Sequence, residues 1–150
     1  MISPIIEVRD APQATRPAPT PLTVELRPPA EAYDYEHVRN QLADPSVLAD
    51  SFAVCVHRAP LLAVAVGGPR RGGYLSVESA EIGESVRRLL LGRRGFWDLR
   101  MNLSPWADTC HVLRWGHEPP HSGDDAALGR FYGYSSSAIA AFLRRPMGAP

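Results

Sequence analysis

The sequence contains no lysine, and all 16 of its basic residues are arginine. Schiff-base chemistry, including that of pyridoxal phosphate, needs a primary amine on the protein. A Walker A loop likewise needs a lysine on the phosphates of its nucleotide. The absence of lysine therefore excludes these mechanisms.

Cysteine and long apolar runs are also scarce. The two cysteines, Cys55 and Cys110, lie in apolar runs, so we predict buried free thiols, since cysteine packs as a small hydrophobe. The first residues lack the basic and apolar regions of a secretory signal. The longest apolar run, 59–66, is too short to span a bilayer. We expect a cytoplasmic protein with no membrane partner.

Charge is balanced overall but unevenly distributed. The formal net charge is zero, which indicates no global attraction to nucleic acid or to anionic membranes. Residues 31–50 carry five acids and one arginine, whereas residues 51–115 carry nine arginines and five acids. We interpret this as charge pairing within the molecule, between an acidic helix and a basic body.

Proline divides the chain into two regions. Residues 1–30 hold seven prolines, which predicts an extended, mobile tail, and residues 31–146 are predicted to form one domain. Within the tail, the alternation at 22–26 is typical of an edge strand. The residue patterns predict helices at 31–43, 79–91 and 136–145, a capped turn at 44–50, and strands at 51–58, 61–66, 74–77, 97–103, 109–115 and 130–134. This order indicates an α+β fold in which helices pack on one face of an antiparallel sheet.

An internal duplication is also predicted. At a constant offset, Tyr74 aligns with Phe131 and Ile82 aligns with Ile139. Each copy would contain a short aromatic strand, a serine-rich cap and a helix, in a ββ(β)α unit. The alignment therefore places residues 130–134 in a strand.

Four segments carry a resemblance to other proteins. They are 59–64 (APLLAV), 71–75 (RGGYL), 108–112 (DTCHV) and 130–135 (RFYGYS). Through them the chain resembles an uncharacterised small-protein family of high-GC actinobacteria, a domain of unknown function. The resemblance implies no activity and no site residue.

The motif His117-Glu118-Pro119-Pro120-His121 matches the H-E-x-x-H pattern of zinc proteases. That mechanism needs a helix, and two consecutive prolines predict a loop instead. A looser metal site is the remaining alternative, and it would support a small metal-dependent hydrolase. Its ligands would be His111, His117, His121 and either Asp124 or Asp125, with Asp124 preferred.

Two pairs of arginines are predicted to bind an anion or a partner. Arg70 and Arg71 lie in the glycine-rich loop 67–73, whose unobstructed backbone N–H groups suit an anion, although a plain hairpin or crossover loop is the favoured interpretation. If these charges attract a partner, we expect the loop to be exposed. Arg144 and Arg145 end the last predicted helix.

Residues 126–145 resemble a repressor-type helix-turn-helix. Gly129 stands four residues before Gly133, while Ile139 and Phe142 occupy positions where the second helix packs on the first. DNA would then face Ser136, Ser137, Arg144 and Arg145. Three observations oppose this. Residues 138–143 offer few polar groups to base edges, and the aromatic residues at 130–134 have strand preference. The duplication also places residues 130–134 in a strand.

We therefore predict a non-catalytic binding or regulatory module that acts through a protein or nucleic-acid partner, with no cofactor and no catalytic residues. A homo-oligomer is one form that the protein partner can take. The alternatives are sequence-specific DNA binding by residues 126–145 and a metal-dependent hydrolase that uses residues 111–124.

Overall fold

A computed structural model describes residues 23–56, 59–105, 110–121 and 123–144 of the chain. Most of the predicted tail and Arg145 lie outside the described residues. Within the described residues the strands are β1 (Val24–Arg27), β2 (Phe52–Val56), β3 (Ala59–Ala63), β4 (Gly72–Val77), β5 (Arg100–Asn102) and β6 (His111–Gly116). The helices are α1 (Tyr35–Gln41), α2 (Ala80–Leu90), α3 (Asp125–Phe131) and α4 (Ser136–Leu143), with 3-10 turns at Pro29–Glu31 and Pro45–Asp50. The predicted α+β class is confirmed.

The strands form two sheets rather than the predicted single sheet. The first has the order β1-β2-β3 and the second has the order β4-β6-β5, and every pair is antiparallel. β4 pairs with β6 rather than with its neighbour in sequence, β3, and in this pair Gly72 lies opposite Gly116 and Gly73 lies opposite Trp115. The predicted edge strand at 22–26 corresponds to β1, so the folded part begins earlier than residue 31.

Strands β2 and β3 of the first sheet are buried on both faces. Val54 and Ala63 face a core shared with the second sheet and α2, whereas Ala53 and Leu62 face a second core. That second core is built from the region of α1 and from the 3-10 turn at Pro45–Asp50. Burial on both faces explains why β2 is a continuous apolar run without alternation.

Helix α2 covers the second sheet as its sequence predicts. Ser79 caps it by accepting a hydrogen bond from the backbone N–H of Ile82. A β-carbon at Gly83 would lie only 2.5 Å from the Met101 terminal methyl carbon of β5. The small residue therefore permits the close approach of helix and sheet.

The strand predicted at 130–134 is wrong. Helix α3 continues to Phe131, Gly133 has a left-handed backbone with a φ of 77°, and Tyr134 forms an isolated bridge with Leu42. The aromatic residues have strand preference, but Phe131 and Tyr132 are buried at the end of α3 instead, and this burial outweighs the preference. Without this strand, the duplication is unconfirmed.

Both cysteines are free, as predicted, but their predicted burial is only partly correct. Cys55 is half-buried in the first sheet, and Cys110 is exposed just before β6. Cys110 directly precedes His111, the first residue of β6 that pairs with β4.

Candidate functional site

The last two helices and the turn between them form a helix-turn-helix unit. Residues 132–135 join α3 to α4, and Gly133 adopts the left-handed conformation that this tight turn requires. A β-carbon at Gly129 would lie 2.8 Å from Cγ1 of Ile139, so the glycine lets α4 pack closely against α3. The spacing of Gly129, Gly133 and Ile139 in the sequence thus corresponds to a real contact between two helices.

Each helix of the unit has its own N-terminal cap. Oδ1 of Asp124 accepts hydrogen bonds from the backbone N–H groups of Ala126 at 2.9 Å and Ala127 at 3.2 Å. The hydroxyl of Ser135 accepts one from the backbone N–H of Ala138 at 3.1 Å. These bonds satisfy donors that a helix start otherwise leaves unpaired, so local sequence defines both helix starts.

Backbone hydrogen bonds hold the turn to the end of α1. The N–H of Ala43 donates to the carbonyl of Gly133, and the N–H of Ser135 donates to the carbonyl of Gln41, both at 2.8 Å. Leu42 and Tyr134 form the isolated bridge between these two bonds. The turn is therefore fixed to the body of the protein on this side.

Arg70 and Arg71 hold the same turn from the other side. Nη1 of Arg70 donates to the carbonyl of Tyr132, and the backbone N–H of Arg71 donates to the carbonyl of Phe131, both at 2.8 Å. The Arg70 side chain is only 6% exposed and lies 5.5 Å from the centre of the Tyr132 ring, and this burial lowers the pKa of Arg70. The exposure predicted for Arg70 is therefore wrong, because its side chain supports the turn.

Helix α4 projects from this support with most of its surface in solvent. No residue of α4 is buried. Ser137, Ala141 and Arg144 are exposed and follow the i, i+4, i+7 spacing that places residues on one helix face. Phe142 and Leu143 are also 52% and 54% exposed. The helix is thus available for contact with a partner.

Three arginines around this unit have no acidic partner in the described part of the chain. Arg71 and Arg130 line a shallow hollow beside Phe131, and Arg144 follows α4. None of the ion pairs found among the described residues includes them. Glu118 also lines the hollow, but it pairs with Arg100 at 2.7 Å. The negative charge of α3 is concentrated at its start, in Asp124 and Asp125.

The four residues predicted to bind a metal make different contacts in the structure. Nδ1 of His111 accepts a hydrogen bond from the backbone N–H of Ser104 at 2.8 Å, while the ring of His117 lies edge-on to Trp97. Asp124 caps α3, and His121 is exposed in a segment that is a loop, as its prolines predict. Among residues 23–56, 59–105, 110–121 and 123–144, no group of three His, Cys, Asp or Glu side chains is arranged to hold a metal ion.

The cap at Asp124 gives a first prediction. Asp124→Ala should lower the free energy of unfolding by about 1 kcal/mol, since two backbone donors lose their partner. The neighbouring change Asp125→Ala removes only a favourable charge near the helix start and should cost about 0.5 kcal/mol. Urea denaturation measures both. A thermal midpoint that zinc raises in the unmodified protein but not in Asp124→Ala would instead identify Asp124 as a ligand.

The sequence identifies the residues that form the helix-turn-helix, but it does not reveal the hydrogen bonds that hold the turn in place. The available signal for α3 was Asp124 ahead of an alanine-rich segment, which is typical of an N-cap. The hydrogen bonds of Gln41 and Ala43 to the turn had no such signal, because only backbone groups form them.

A family model described as a family of unknown function, DUF6302, matches residues 26–150. No curated protein and no solved structure matches the chain. In the part of the chain that the structure describes, every helix is too short or too polar to cross a membrane.

Proposed function

Since the chain belongs to DUF6302, a family of unknown function, its role has to be inferred from its own residues, and we propose that it is a non-catalytic regulatory module that binds double-stranded DNA through α3 and α4. The observation that carries this proposal is the exposed helix α4 at the end of a turn that is held on two sides. A fixed turn presents the helix in one orientation, which binding in a groove requires. This role places the protein in the cytoplasm, and the actinobacterial origin stays a prediction.

The outer face of α4 suits close approach to the major groove. That groove admits an α-helix, and in helix-turn-helix proteins the second helix enters it while the first crosses the backbone. The side chains of Ser136, Ser137 and Ala141 are small, so the helix axis can come near the base edges. Serine hydroxyls bond to bases or phosphates, and an alanine methyl group contacts the methyl group of thymine. A helix with few polar residues is therefore compatible with this role.

The exposed arginines supply the electrostatic part of binding. Arg71, Arg130 and Arg144 are exposed and have no acidic partner among the described residues. Each arginine that neutralises a phosphate releases counterions from the DNA, which makes the affinity depend on salt. Because the protein has no net charge, we expect only these local contacts to contribute.

The salt dependence gives a second prediction. Three phosphate contacts should produce a slope of about −2.7 in a plot of log affinity against log salt concentration. Arg144→Ala should reduce the steepness of this slope by about 0.9. Fluorescence anisotropy with a labelled duplex measures both values. The matched control is Arg88→Ala on α2, an exposed arginine paired with Glu84, which should leave the slope unchanged. A titration without salt-dependent affinity would refute the proposal.

A protein partner is the second candidate, and the exposed side chains of Phe142 and Leu143 favour it. Sedimentation velocity separates the two roles for the case of self-association. If α4 binds a second copy of the chain, Leu143→Ser should abolish a dimer and leave DNA affinity within a factor of about two. The metal-dependent hydrolase stays an untested prediction.

A further inference from the structure

A cavity of about 200 Å³ lies between α3, α4, β4 and the end of α1. Its apolar wall includes Leu128 of α3 together with Ile139 and Phe142 of α4. An apolar cavity of about 150 Å³ is large enough to hold benzene, so this one has room for a slightly larger compound. The cavity is distinct from the outer face of α4 that we propose contacts DNA.

Three tyrosines make the opposite wall aromatic. Tyr74, Tyr132 and Tyr134 all line the cavity, and the rings of Tyr74 and Tyr132 meet edge-on with their centres 5.4 Å apart. Burial raises the pKa of the Tyr132 hydroxyl, which therefore stays protonated at neutral pH. Aromatic walls favour a ring that can stack or meet them edge-on.

The charges around the cavity argue against an ionic ligand. The guanidinium of Arg70 already lies over the Tyr132 ring, and that of Arg114 lies over the Tyr74 ring, at 5.5 Å and 5.9 Å. Two of the aromatic faces that would attract an organic cation thus already have a cation beside them. Among the described residues that line the cavity, Asp125 is the only charged one, and it repels an anion. Its side chain is exposed, so solvent screens its attraction for a cation.

We propose that this cavity binds a small neutral aromatic compound of one or two rings that carries a hydrogen-bonding group. Gln41 lines the cavity and carries an amide donor and acceptor. A few polar groups in a mostly apolar cavity are the usual composition of a small-molecule site. The proposal does not depend on DNA binding, and it is tested without DNA.

The test is calorimetric titration of the full chain with naphthol as the probe. We expect saturable binding to one site, and binding of cyclohexanol, benzoate and benzylamine at least about tenfold weaker. Leu128→Trp fills the cavity and should weaken naphthol binding at least about tenfold. The matched control is Leu91→Trp at the end of α2, where the leucine is 60% exposed, and it should leave the affinity unchanged.

Methyl NMR of the unmodified protein keeps the test valid if Leu128→Trp fails to fold. Naphthol should shift the methyl signals of Leu128 and Ile139 but not that of Leu91. The proposal is overturned if naphthol does not bind, if cyclohexanol or either charged compound binds as tightly, or if the shifts arise elsewhere. A dimer would also overturn the proposal if naphthol cannot dissociate it and if its formation abolishes the methyl shifts. A second copy of the chain would then occupy the cavity.

Discussion

Replacing Gly133 with alanine should lower the free energy of unfolding by about 3 kcal/mol, through backbone strain and overpacking together. The φ of 77° is unfavourable for any residue with a β-carbon. In addition, this β-carbon would lie 2.7 Å from Cβ and 2.9 Å from Cα of Arg70. Backbone atoms cannot move aside as a flexible side chain can. The turn would have to separate from the segment that supports it.

Gly92→Ala is the matched control for this prediction. Gly92 has a similar φ of 82°, but a β-carbon there would meet nothing within 4 Å. Its replacement should therefore cost only the strain, about 1 kcal/mol. The difference between the two variants, measured by urea denaturation, isolates the contact between the turn and Arg70. Equal losses in the two variants would mean that this contact does not hold the turn.

Ala141→Glu should weaken DNA binding by about 100-fold, since a carboxylate on the outer face of α4 would face phosphates and the electronegative groove. Ala141 is exposed, and glutamate is a good helix former, so the stability should change by less than about 0.5 kcal/mol. The loss would therefore report on binding rather than on folding. Anisotropy titration and thermal denaturation of the same preparation measure the two quantities.

The control for this variant carries the same substitution on another helix. Ala80 is the exposed first residue of α2, and Ala80→Glu adds the same charge to the molecule. If only net charge mattered, the two variants would lose the same affinity. We expect Ala80→Glu to keep its affinity within a factor of about three, because α2 lies outside the proposed interface. An unchanged affinity of Ala141→Glu would exclude α4 from the groove.

Much of the fold follows from local patterns in the sequence. Helix α2 was predictable because Ser79 caps it and because Ile82, Val86 and Leu90 form one apolar stripe. The 3-10 turn was predictable from Asp44 and the proline that follows it. In both cases the decisive contacts join residues that are close in sequence.

The errors concern contacts between distant parts of the chain. The aromatic residues at 130–134 have strand preference, but the cap at Asp124 and the burial of Phe131 and Tyr132 favour a helix. The burial of Arg70 depends on its hydrogen bond to Tyr132, far along the chain, so no local pattern signals it. The division into two sheets likewise depends on β4 pairing with β6.

In the proposed site, too, contacts between residues close in sequence were predictable and contacts between distant residues were not. Gly129, Gly133 and Ile139 were recognisable from their spacing, because it corresponds to a contact between neighbouring helices. The arginines were assigned less well, since sequence cannot distinguish Arg70, which is buried, from Arg71, which is exposed beside it. Exposure is a property of the assembled fold.

The most direct test is an NMR titration of the labelled full chain with a duplex of about 20 base pairs at low salt. Binding of DNA through α4 should concentrate the amide shifts in residues 136–144 and at Arg71 and Arg130, and these shifts should decrease as salt is added. Shifts confined to other surfaces, or no shifts at any salt concentration, would contradict it.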